Sequence, residues 1–138
     1  MAESVLIPKR DYNRLWSFLA AVGEGGPEQR SLLGSLERVL TVAKPLPESM
    51  VPSETVTLNS LVPLREKQTG VVLRFQLVFP WDSDVEQQKL SVLSAIGTAI
   101  LGRLVGQEIR CRNGERDLEL HIEEVDREGP TGVGTDVE

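Results

Sequence analysis

Residues 90–107, LSVLSAIGTAILGRLVGQ, constrain the fold more than any other stretch of the chain. They open as a strand, Leu90-Ser91-Val92-Leu93, after which Ser94 is placed to cap a helix by accepting from an amide one turn on. Ile96, Ala99, Ile100 and Leu101 then share one face at helical spacing. Gly102 can take the left-handed conformation that ends a helix, and Val105-Gly106 turns the chain toward another strand. A short helix laid on a sheet between two strands is what such a sequence builds. Nothing in it is a catalytic group.

The sheet is written on both sides of this stretch. Upstream, residues 56–62 alternate well enough for a strand, residues 65–70 make a polar turn, and residues 71–79 give the clearest strand in the chain. There Val71, Leu73, Phe75, Leu77 and Phe79 fall on one face and Arg74 and Gln76 on the other. Pro80 ends that strand. Downstream, residues 108–112 form a strand with Ile109 and Cys111 inward, and Asn113-Gly114 is a strong hairpin signal. On the return strand Leu118, Leu120 and Ile122 face the core, while Glu119, His121 and Glu123 face out.

The first part of the chain has a different period. Tyr12, Leu15, Trp16, Leu19 and Val22 form a stripe at three- and four-residue spacing, with Pro8 at the helix start and Asp11 in its first turn. Gly23-Glu24-Gly25-Gly26 breaks it. Pro27 begins a second helix, whose stripe is Leu32/Leu33, Leu36, Val39/Leu40 and Ala43. The two read as an antiparallel helical hairpin. Residues 44–52 carry Pro45, Pro47 and Pro52, and read as an extended, stiff linker to the sheet. The preceding Val5-Leu6-Ile7 is open to either a strand or simple packing under the next element. The fold class is therefore α+β.

Candidate chemistry is sparse. Glu24 and Glu28 lie at the hairpin tip, where they could hold a divalent cation, but two glutamates make a poor magnesium cage. The simpler reading is that these acids favour the second helix's N-terminus. The loop around Trp81, with Asp82, Asp84 and Glu86, lacks the glycine and distal glutamate of a calcium loop, so no metal site is expected there. Cys111 and His121 fall on opposite faces, which excludes a Cys–His catalytic pair. Neither a cofactor nor enzymatic activity is expected. The net charge of −6 argues against a sequence-independent grip on DNA. The single cysteine fits a reducing compartment, and no signal peptide or run of about 18 apolar residues is seen, so a cytoplasmic protein is expected.

Pro47-Glu48-Ser49-Met50, then Val56-Thr57-Leu58-Asn59-Ser60, and then residues 90–106 together resemble the C-terminal domain of the bacterial Gre transcript-cleavage factors. Within that family the arm–domain junction is most similar to the Rnk branch, the regulators of nucleoside diphosphate kinase. The resemblance implies an FKBP-like domain (a curved antiparallel sheet with one short helix) over 47–127, after the short helical hairpin arm over residues 1–46; residues 128–138, rich in glycine and acid and without pattern, read as a flexible tail. The resemblance also implies a non-catalytic transcription regulator that binds RNA polymerase at the entrance of the secondary channel. The docking loop would be Ser94, Ala95, Ile96 and Gly97, with Ala95 where the family usually has proline and Thr98 where the Gre helix has arginine.

Two other functions stay in view. One is a Gre-type cleavage factor whose arm-tip acids act with polymerase-bound magnesium; the family's aspartate-and-glutamate tip pattern is absent here, and this activity is the first to discard. The other is an interaction module that regulates nucleoside diphosphate kinase. Prolyl isomerase activity, which the FKBP-like fold suggests, needs an aromatic-lined pocket that six aromatic residues hardly supply.

Overall fold

The computed structural model describes residues 5–22 and 26–127. Glu24 at the arm tip and the tail at 128–138, expected to be flexible, lie outside these residues.

The two amphipathic stripes fold as α1 (Lys9–Ala21) and α2 (Pro27–Val42). Pro27 is the first residue of its helix, as its fixed φ favours, whereas Pro8 stands just before its helix in an extended conformation. Leu15, Leu36 and Leu40 are wholly buried, and Tyr12, Trp16, Leu19, Val39 and Ala43 pack partly around them. Each fully buried leucine contributes about 1.5–3 kcal/mol. Helices this short are marginal in isolation, so tertiary burial holds them.

The proline-rich segment is not a free linker. Leu6–Pro8 forms β1 and Lys44–Leu46 forms β2, paired in parallel with Leu6 against Lys44. The Lys44 amide donates to the Val5 carbonyl at 2.8 Å. This two-stranded clip brings the start of α1 and the exit of α2 together. A short 3-10 turn at Glu48–Met50 follows.

The strand expected over residues 56–62 begins only at Leu61. Residues 56–60 instead form a buried turn in which Thr57 Oγ1 and Ser60 Oγ lie 2.9 Å apart and the Ser60 amide donates to the Thr57 carbonyl at 3.1 Å. Asn59 sits there at a φ of 73°. The strand proper is β3 (Leu61–Glu66), so Arg65 and Glu66 belong to the sheet and not to the following turn.

β4 (Val72–Val78), β5 (Lys89–Ser91), β6 (Glu108–Asn113) and β7 (Arg116–Ile122) complete a sheet of order β5-β4-β3-β7-β6. It is antiparallel except at one edge, where β5 runs parallel to β4. The sheet is thus mixed, and the strand expected at residues 90–93 is shorter and one residue earlier. The β6–β7 hairpin forms as expected, but Asn113 pairs with Arg116, so its two turn residues are Gly114 and Glu115. Gln76, expected on the polar face of β4, is only 7% exposed and donates to the Asn59 carbonyl at 3.4 Å.

The opening stretch folds into β5, a corner, and α3 (Ala95–Ile100), which packs against β6 and α2. Gly102 follows at a φ of +78°. A Cβ there would lie 2.5 Å from Val5 Cγ1, so both the backbone angle and the space select glycine. The Leu6 amide donates to the Gly102 carbonyl at 3.1 Å. One apolar cluster runs from Val5, Ile7, Leu15, Leu36 and Leu40 through Val62, Leu64, Ile100 and Leu101 to Leu120 and Ile122. The helices and the sheet share a core.

Candidate functional site

The corner between β5 and α3 is fixed by a dense set of local hydrogen bonds. Ser91 Oγ accepts from the Leu93 amide at 3.0 Å. The Ser91 carbonyl accepts twice, from the Ser94 amide at 3.0 Å and from Ser94 Oγ at 2.7 Å. Ser94 Oγ in turn accepts from the Gly97 amide at 3.0 Å, which is the helix cap expected from the sequence. Thr98 Oγ1 donates to the Val92 carbonyl at 2.7 Å from a buried position. A Cβ on Gly97 would lie 2.1 Å from the Ser91 carbonyl oxygen. The corner is therefore held by a closed set of local hydrogen bonds.

The four residues expected to dock do not share one environment. Ser94 and Ala95 are partly exposed, whereas Ile96 is 7% exposed and Gly97 is buried. Ile96 belongs to the shared apolar cluster. At this corner Ser94 and Ala95 reach solvent, with Ile96 and Gly97 beneath them. Ala95 opens onto a groove of about 610 Å³ between α2 on one side and α3 with β6 on the other. Leu32, Val39 and Val42 supply one wall, Leu93, Ala99 and Cys111 the other.

Residues 51–127 match the family model described as "Transcription elongation factor, GreA/GreB, C-term". The chain belongs to this Gre family. It is similar to transcription elongation factor GreA of Syntrophus aciditrophicus, 30% identical over 90 residues that cover 64% of this chain and 56% of that one. GreA of Flavobacterium johnsoniae is 33% identical over 98 residues, 70% of this chain and 61% of the relative. Among solved structures, the prokaryotic transcription elongation factor GreA/GreB from Nitrosomonas europaea superposes with a TM-score of 0.72 at 29% identity, covering 91% of this chain and 99% of that one. The chain spans about half the length of the curated relatives it matches.

The other candidates in this Gre-family chain separate widely. Glu28 is exposed in the first turn of α2, where the helix dipole favours it. Its expected companion Glu24 lies outside the described residues. Trp81 is 62% exposed and stacks on Phe79 with ring centroids 4.6 Å apart; Phe18 lies against both, and the Arg14 guanidinium sits over Phe79 at 4.7 Å. The loop is thus anchored to α1 through aromatic contacts that the spacing of its acids did not foretell. Cys111 is half-buried rather than in the core, and burial pushes its thiol pKa up. His121 lies between Glu108 and Glu123, with nitrogen–oxygen distances of 3.8 and 3.9 Å, on the polar face where the sequence puts it. Around it Arg65–Glu123, Lys67–Glu108 and Arg110–Glu119 form ion pairs across strands. Such solvent-screened pairs fix register more than they stabilise.

Asp11 has a role that its place in the first turn of α1 did not reveal. Its Oδ2 accepts from the Leu58 amide at 3.2 Å, tying the arm to the buried turn of the domain. It lines a cleft of about 990 Å³ with Arg10, Arg14, Glu48 and Arg127. Burial raises its pKa above the ordinary carboxylate value, outweighing the lowering by the Leu58 hydrogen bond and the arginines Arg14 and Arg10. A raised native pKa favours the protonated acid, so this contribution to stability is full below the unfolded value of 3.8 and is lost as pH rises through the native pKa. Asp11→Asn keeps an acceptor for Leu58 without a buried charge. Its thermal midpoint at pH 7 is expected to equal or exceed that of the wild type, with the gap closing on acidification toward pH 4. A variant clearly less stable than wild type at pH 7 would show that the charged hydrogen bond outweighs the burial.

Proposed function

We propose that this chain is a Gre-family transcription regulator that binds RNA polymerase at the secondary-channel entrance, without stimulating transcript cleavage, as in the Rnk branch. The observation that carries the reading is the pre-formed corner at Ser94 and Ala95, held by the two acceptor bonds of the Ser91 carbonyl and partly open to solvent. Ser94, Ala95, Ile96 and Gly97 act together: the first two make contact, and the buried pair fixes their position. The arm supports a role at the channel mouth. Its helices of 13 and 16 residues extend only about 20–24 Å at 1.5 Å per residue. Glu28 and Glu24 have no catalytic part in this reading.

The test is binding to core RNA polymerase by the wild type and by Ala95→Asp. Ala95 is partly exposed, so the variant is expected to fold normally, as far-UV circular dichroism would show. A desolvated unpaired charge at the contact should weaken binding roughly tenfold or more. Undiminished binding by a folded Ala95→Asp would remove the corner from the interface. In a backtracked elongation complex the RNA is expected to stay uncut on addition of the protein; cleavage would return the chain to the catalytic-accessory class.

A further inference from the structure

We infer that the groove between α2 and α3/β6 receives an acidic, apolar-faced segment of the polymerase. The inference rests on the docking reading above and adds the chemistry of the partner.

The charge lining this groove runs against the net charge of the chain. The chain carries a formal net charge of −6, yet the described residues lining the groove include Arg38, Arg103 and Arg112 and no carboxylate. Arg38 rises from α2 and donates to Ser35 Oγ at 3.2 Å, a neighbour on its own helix. Arg112 stands on the facing strand, where it pairs with Asp117 at 3.3 Å; both side chains are more than two-thirds exposed, so the pair is open to exchange. Between these cationic rims the floor is apolar. Val42, 72% exposed, is one of the most exposed large apolar residues in the structure, and Leu32, Val39, Leu93 and Ala99 continue the strip. An apolar floor between arginines matches a segment with aliphatic residues on one face and aspartate or glutamate at its margins. A phosphate backbone would meet the arginines but would leave the floor uncovered. A basic segment would be repelled. The groove also runs up to Ala95, so an occupant reaches the docking corner without leaving the protein surface.

Cys111 makes the occupancy measurable. It is the single cysteine of the chain, and its half-buried thiol lines the groove. The experiment alkylates the full chain with N-ethylmaleimide, alone and in complex with core RNA polymerase, and follows the Cys111 peptide by mass spectrometry. In parallel, polymerase binding is measured for Arg38→Glu and Arg112→Glu, both exposed positions whose reversal leaves the core intact. The expected result is slowed labelling of Cys111 in the complex, binding roughly tenfold weaker for each reversal, and loss of affinity with added salt. If the wild type binds while Cys111 labels at its free rate and both reversals bind normally, the groove is empty in the complex and the inference falls, with the docking reading intact. If the wild type itself does not bind core RNA polymerase, both fall.

Discussion

Gly97→Ala is expected to unfold or nearly unfold the domain, with a thermal midpoint lower by roughly 10 °C or more. Propensity alone points the other way: in a helix interior alanine is favoured over glycine by about 1 kcal/mol. Gly97 lies in α3, so a propensity argument would take the substitution for a stabilising one. Contact decides the sign. The added Cβ would meet the Ser91 carbonyl oxygen at 2.1 Å and Ser94 Oγ at 2.9 Å. That oxygen already accepts from Ser94 at both its amide and its hydroxyl, and the hydroxyl caps the Gly97 amide. The methyl group cannot be accommodated without opening the corner, so overpacking of about 3 kcal/mol adds to the loss of a cap worth about 1 kcal/mol. Thermal unfolding followed by circular dichroism is the measurement. A variant as stable as wild type would mean that β5 and α3 approach less closely than described.

Ile96→Asp should be the second severe lesion, and it separates folding from docking. Ile96 is 7% exposed and packed in the shared apolar cluster. Burying an unpaired carboxylate there costs several kcal/mol, against a total stability of about 5–15 kcal/mol for a domain. The variant should lose its cooperative transition, whereas Ile96→Val should fold with a loss of about 0.5–1.5 kcal/mol. Any polymerase-binding defect of Ile96→Asp then reports unfolding, and Ala95→Asp carries the interface question alone. An Ile96→Asp protein that kept the wild-type midpoint yet failed to bind would place this side chain on the surface.

Much of this architecture is legible in the sequence where one face of an element meets the core and the other meets water. The stripes through Leu15 and through Leu36 and Leu40 announce α1 and α2, and the alternation of Leu118, Leu120 and Ile122 announces β7. Residues 56–60 mislead because both faces are covered: Val56, Thr57, Leu58 and Ser60 are all buried, so alternation there encodes no facing direction. The hydroxyls of Thr57 and Ser60 close a local turn instead. β2 escapes notice, and β1 is left open between a strand and simple packing, because segments of three residues with one proline in each leave no periodic signature. The parallel placement of β5 is equally silent, since strand direction depends on where the chain has been and not on local side chains. At the candidate site, the Ser94 cap was readable from a single residue. The division of residues 94–97 into an exposed and a buried pair was not, because it depends on how α3 rests on α2 and β6.

The clip between β1 and β2 also bears on the order of events during folding. Leu6 lies far ahead of Gly102 in the chain, but its amide bonds the Gly102 carbonyl, and Val5 packs against Gly102. The helical hairpin and the β1–β2 pairing lie within residues 5–46 and can form from nearby contacts, whereas the bond from Leu6 to Gly102 joins segments separated by most of the described chain. Closing so long a loop is slow. The seating of the clip on the domain is therefore a late fastening, which follows the turning of the helix-bearing stretch that carries Gly102.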